Sequence, residues 1–311
     1  MDDLPPRLAQ ALREAEVSLS QEQFQRAESA RAVEEFFDRG WRAAPTAVDA
    51  SEALRVAALC AALDQPVRAV RALALFAGAE GEELVQRGDW AGGLMLLAEA
   101  TEVVHDVIPQ ADAPEAQALV RHLSVLVLQT LRVGAEARSL ENLGHIGGLE
   151  RVFRITEMLW QPDLHQPLAM LADLSRAISG ATPSGRGGRP SVARLVGTLN
   201  EIRGAVREVE AQAHGRTRGQ AALLVSLVDS WYEVVQQDLV SLVEAGPARL
   251  PGAEQRDLRT RVADQIEHVE RELRALIARR YEDSYGQEWT ERVRERHEAM
   301  YANWMRIAQK D

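Results

Sequence analysis

Along nearly the whole of this 311-residue chain, apolar residues recur at steps of three and four, and no stretch alternates with period two for long enough to make a strand. A chain patterned this way buries stripes along helices, so the fold class read from it is all-α. Helices are expected at about 20–40, 50–63, 66–78, 80–87, 90–108, 114–135, 148–160 and 164–179. Ser20-Gln21-Glu22-Gln23 has the form of a capping box, in which hydroxyl and amide satisfy each other's backbone donors at a helix start. Asp112-Ala113-Pro114 marks another start, because proline fits a first helical turn, and Gly147-Gly148 marks a stop.

The clearest interruption is Gly180-Ala181-Thr182-Pro183-Ser184-Gly185-Arg186-Gly187-Gly188-Arg189-Pro190, which holds no large apolar residue to anchor it to a core. It divides the chain into a helical domain over 1–180, a flexible linker over 181–191 and a second domain over 192–311. Gly180 and Gly185 have the separation of a phosphate-binding loop. Arg186 and Gly187, however, occupy the positions where Lys and Ser or Thr must touch phosphate and magnesium, and no strand precedes them. Beyond the linker, Val192, Leu195, Val196, Leu199, Ile202, Val206 and Val209 form one stripe. Leu224, Leu227, Trp231, Val235, Leu239 and Leu242 form a second, and Leu258, Val262, Ile266, Val269, Leu273 and Leu276 a third. Tyr301, Trp304 and Ala308 lie on a fourth, and the short breaks between them predict an antiparallel four-helix bundle.

Composition removes several function classes. The 47 acidic residues against 36 basic ones leave a formal charge of −11, a field that repels nucleic-acid backbones and argues against a DNA-binding role. A single cysteine, Cys60, makes neither an intramolecular disulfide nor a thiolate metal cage. The first residues lack a basic and apolar leader, and no apolar run reaches the about 18 residues of a membrane span, so a cytoplasmic protein is expected. The near-exclusive use of arginine as the basic residue, with abundant alanine, reads as the bias of a GC-rich bacterial genome.

Gly81, Leu84, Gly88-Asp89-Trp90, Gly93, Leu97 and Ala100 together resemble one tetratricopeptide (TPR) unit over about residues 80–105, with Gly93 where alanine is usual and His105 where a closing proline is usual. The resemblance implies a helical hairpin whose small residues allow close packing, and a concave surface that binds another protein. The first domain is therefore expected to be an irregular TPR-like helical domain, with Trp90 at its partner-facing turn.

The seven histidines, His105, His122, His145, His165, His214, His268 and His297, include no pair at the helical spacing of a zinc hydrolase, and no metal or cofactor is expected. Arg292-Val293-Arg294-Glu295-Arg296-His297 resembles the Arg-x4-6-His motif of the HEPN ribonuclease family, itself an all-helical bundle. That resemblance implies a metal-independent RNase in which His297 handles a proton and Arg292 stabilises charge on the scissile phosphate. Val293 stands where the family carries a small polar residue, and Arg138 with His145, Arg207 with His214 and Arg261 with His268 match the same loose pattern. Tyr285-Gly286 followed by Trp289 looks like the helical C-terminal domains of bacterial conflict-system proteins. The function expected first is a non-enzymatic adaptor or regulatory subunit in such a defence system. Its partner is another protein or a second copy of the chain, met through Trp90, Tyr285, Trp289, Tyr301 and Trp304. The alternative is the RNase, and only there is RNA a partner.

Overall fold

A computed structural model describes residues 4–20, 25–39, 48–179 and 192–244. These all belong to one of two units of the chain, Met1–Glu244; the other, Ala245–Asp311, lies outside the described residues, and with it the third and fourth helices of the expected bundle. The linker expected at 181–191 lies outside them too.

Every regular element among the described residues is helical: α1 Pro6–Ser20, α2 Arg26–Asp38, α3 Ala50–Ala62, α4 Pro66–Gln86, α5 Trp90–Val107, α6 Ala113–Gly134, α7 Leu140–His145, α8 Glu150–Leu159, α9 His165–Ser179, α10 Val192–Gln212 and α11 Gly215–Glu244, with short 3-10 turns before α6, α8 and α9. Side chains within three residues set four of these helix starts. Asp49, Asp89 and Asp112 accept from the backbone N–H of Glu52 (2.9 Å), Gly92 (2.8 Å) and Glu115 (3.0 Å), and Ser139 accepts from Asn142 (3.1 Å), so each supplies an acceptor to a donor that the helix itself leaves orphaned.

Two expectations need correction here. Ser20 ends a helix and does not begin one: its hydroxyl donates back to the Val17 carbonyl at 2.7 Å, and α1, absent from the sequence reading, lies before it. The segment expected as two helices, 66–78 and 80–87, is the single helix α4, because Gly78 and Gly81 stay helical, both buried where a neighbouring helix comes close.

Successive helices turn back on one another. At the end of α3 the N–H of Gln65 reaches the Cys60 carbonyl (2.9 Å) and that of Asp64 the Ala61 carbonyl (3.1 Å). At the end of α4, Asp89 bonds Leu84 (2.8 Å) and Gly88 bonds Val85 (2.9 Å). Both are Schellman closures, and both put the pivotal residue in the left-handed region, Asp64 at φ 59° and Gly88 at φ 91°. The result is an antiparallel run of α3, α4, α5 and α6 with α1 packed on α3 and α5, α8 packed on α5, and α9 packed on α8. The core runs through it continuously, from Leu8 and Phe36 to Leu94, Leu97, Leu126, Phe153 and Leu171.

The first two stripes beyond the linker form α10 and α11, an antiparallel pair. Val196, Leu199, Ile202 and Val206 of one and Leu224, Leu227, Trp231 and Val235 of the other are buried. α10 packs on α9, and α11 reaches α6 and α7, so helices on both sides of the expected linker share one interior. Their meeting point is the end of α6, where helical carbonyls run out of intrahelical donors. The Trp90 indole N–H donates to the Val133 carbonyl at 2.5 Å and the Trp231 indole N–H to the adjacent Gly134 carbonyl at 2.8 Å. Ser230 donates to Ala137 at 3.2 Å, and Trp231 meets Phe153 edge to face at 6.1 Å.

Candidate functional site

The α4–α5 hairpin carries the pattern singled out in the sequence, and its geometry follows from glycine. A Cβ on Gly93 would stand 2.5 Å from the Gly81 carbonyl oxygen, and one on Gly81 would stand 2.8 Å from Leu97 Cγ. The helices therefore approach to backbone contact where these two residues face each other, closer than any side chain permits. Leu97 and Ala100 fill the seam, while Leu84 is half-buried at its edge. Asp89 caps α5 and Gly88 supplies the turn, so the residues of the Gly-Asp-Trp triplet have separate tasks.

The third of them faces inward. Trp90, expected as a partner-facing anchor, is 8% exposed, its N–H is taken by Val133 and its ring meets His145 edge to face at 6.2 Å. The Val133 carbonyl, which also accepts from the Glu136 N–H at 2.9 Å, has a second lone pair for the indole N–H, so a bulky ring is buried there with its polar group satisfied. Tyr285, Trp289, Tyr301, Trp304, Arg292 and His297 lie outside the described residues. The large apolar side chains exposed among the described residues are Val17, Met158 and, on α6, Val120 and Leu128.

A second cluster, assembled from four helices, lies where α2, α3, α4 and α6 meet. Arg68 and Arg71, three apart on α4, both reach Glu115 of α6 (3.2 and 3.1 Å), and Arg68 also pairs with Glu34 of α2 at 2.5 Å. Arg71 lies over the Phe37 ring at 4.5 Å and donates from Nε to His122 Nε2 at 3.4 Å. Burial, helped by the nearby cations Arg71 and Arg121, pulls His122 down to about 4. At neutral pH the imidazole is therefore uncharged, an acceptor toward Arg71 with its own proton on Nδ1. Cys60, buried on α3 close to the same charges, has its thiol pushed up to about 12, chiefly by burial.

The chemistry open to these groups is limited. A thiol so far from ionising is no nucleophile, and an imidazole protonated only near pH 4 is no proton carrier at neutral pH. Native Cys60 is expected to react with iodoacetamide at pH 8 at least about a thousand-fold more slowly than in denaturant, since the thiolate fraction falls in step with the raised pKa. Labelling followed by mass spectrometry measures this, and equal rates would show that Cys60 is reached from solvent.

The remaining described histidines are dispersed: His105 beside Asp106 (3.1 Å), His165 against the Trp160 carbonyl (3.2 Å), and His214 exposed on the turn before α11. No group of three or more metal-ligating side chains exists among the described residues. No described helix is long and apolar enough to cross a membrane. The arginine cluster was missed in the sequence because its members are up to 88 positions apart, from Glu34 to His122. The one local signal was a pair of arginines three apart in the otherwise apolar first half of α4. Comparison of the chain with family models, with curated proteins and with solved structures finds no match.

Proposed function

We propose that this chain is a non-enzymatic helical adaptor or regulatory subunit, with a degenerate TPR-like hairpin at α4–α5 and a bundle over 192–311 that serves association. The reading rests on one observation above the rest: the backbone-contact crossing at Gly81 and Gly93, which has no catalytic use and makes the hairpin a stiff element able to present side chains at fixed spacing. The polar cluster beside it supports the same view, because its ionisable groups are tied to each other and its thiol and imidazole are held neutral. A bacterial defence setting fits the composition and the C-terminal pattern.

The test uses the full chain. Incubated with structured and single-stranded RNA, neither the wild type nor Arg292→Ala/His297→Ala is expected to cleave. A stable self-association or a complex with a co-purifying protein is expected, measured by light scattering and mass spectrometry, and Trp304→Ala should dissolve it. Cleavage by the wild type that disappears in the double variant would overturn the adaptor reading and establish the HEPN-like one.

A further inference from the structure

α2 packs on α3 and is tied to α4 by charge and ring contacts. Glu34 pairs with Arg68, and the Phe37 ring lies under the guanidinium groups of Arg71 and Arg68, at 4.5 and 5.9 Å. Arg71 is in turn held along its edge from α6, by Glu115 at 3.1 Å and by the unprotonated Nε2 of His122 at 3.4 Å. One guanidinium thus joins three helices: its edge is fixed by α6, its stem belongs to α4, and its face is offered to α2. A cation over an aromatic ring is held best when desolvated and oriented, and the orientation here comes from its edge partners.

We propose that Arg71 makes the seating of α2 depend on the proton state of His122, so that α2 is a proton-sensitive latch on the helical core. A proton on Nε2 removes the acceptor that orients Arg71 and sets a second cation against the first. The guanidinium then swings away, the stack on Phe37 is lost, and α2 releases the apolar residues Val33, Phe36 and Phe37 that it buries. The charged and titratable groups around this point are Glu34 from α2, Cys60 from α3, Arg68 and Arg71 from α4, and Glu115 and Arg121 from α6. Cys60, its thiol pushed up to about 12, stays neutral over the range in which His122 acts. A titratable group moves a local equilibrium only if its pKa differs between the two forms. Burial, Arg71 and Arg121 hold His122 below its ordinary range while α2 is seated, so whatever part of that depression is relieved on release makes opening of α2 more favourable as the pH falls from 8 to 5.

Hydrogen exchange of the whole chain, followed by mass spectrometry and corrected for the intrinsic rate, tests this on residues 26–38, with the amides of α5 as internal reference. In the wild type, protection of α2 is expected to fall several-fold from pH 8 to pH 5 while that of α5 holds. In His122→Gln, whose amide oxygen accepts from Arg71 but gains no proton, the pH response should vanish. In Arg71→Met, which keeps the stem and loses the guanidinium, α2 should be loosened already at pH 8 with little further change. Equal protection of wild-type α2 at both pH values, or a parallel fall in His122→Gln, would overturn the latch, as would α5 loosening in step with α2. Should His122→Gln fail to fold, Arg71→Met decides alone: wild-type protection at pH 8 in that variant rejects the proposal.

Discussion

Replacing Trp231 by alanine is expected to lower the unfolding free energy by about 3–5 kcal/mol, the largest single-residue effect foreseen in the chain. The side chain is fully buried and stacks edge to face on Phe153, so its removal leaves a cavity where α11 meets the rest of the helices. It also takes from the Gly134 carbonyl its shorter donor at 2.8 Å, leaving it the Ala137 N–H at 3.4 Å. Trp231→Phe separates the two losses: it keeps an aromatic ring against Phe153 and removes only the N–H, at a cost of about 0.5–1.5 kcal/mol for one hydrogen bond lost from a carbonyl that keeps a second donor. Urea denaturation followed by circular dichroism measures both. A change within about 0.5 kcal/mol for the alanine variant would mean that α11 contributes nothing to holding the helices before the linker.

Gly93→Leu is expected to come next, and for the opposite reason. Near Gly93 the nearest atom to an added Cβ is a backbone oxygen, 2.5 Å away on Gly81, with Val85 Cγ2 at 2.7 Å. A side chain in that position finds nothing that can rotate aside, so α4 and α5 must separate along their whole seam. Overpacking of this kind costs about 3 kcal/mol, or a fall of about 5 °C in Tm for a chain of this size. Gly204→Ala on α10 is the control: nothing lies within 4 Å of its added Cβ, and alanine is the better helix former, so Tm should hold or rise slightly. An unchanged Tm for Gly93→Leu would show that the two helices do not meet at Gly81.

Much of the secondary structure was legible because its causes are local. The stripes of α10 and α11, the aspartate before α6 and the glycine at the α4–α5 turn all act within four residues of themselves. Where local signals failed, a competing one was present. Ser20 fits a capping box, yet its hydroxyl closes α1, since a serine near a helix end satisfies carbonyls as readily as N–H groups. Gly78 and Gly81 read as a break between helices, yet both sit inside α4, where the absence of a side chain at Gly81 is the condition for contact with α5.

The candidate site was less legible than the fold. From sequence, Trp90 was an aromatic on a turn, with nothing to say which way it pointed. The direction was decided by the Val133 carbonyl at the end of α6, 43 residues away, just as Trp231 was decided by Gly134, 97 residues away. Arg71 and His122 likewise gained meaning only when α4 and α6 came side by side. The sequence by itself determined that this chain is helical and where most of its helices turn, because helix periodicity and capping are settled by near neighbours. Only the tertiary structure decided which buried polar groups satisfy one another and brought Arg68 and Arg71 against α2. Such groups are obliged to find partners once water is excluded, and those partners are chosen by packing across the chain.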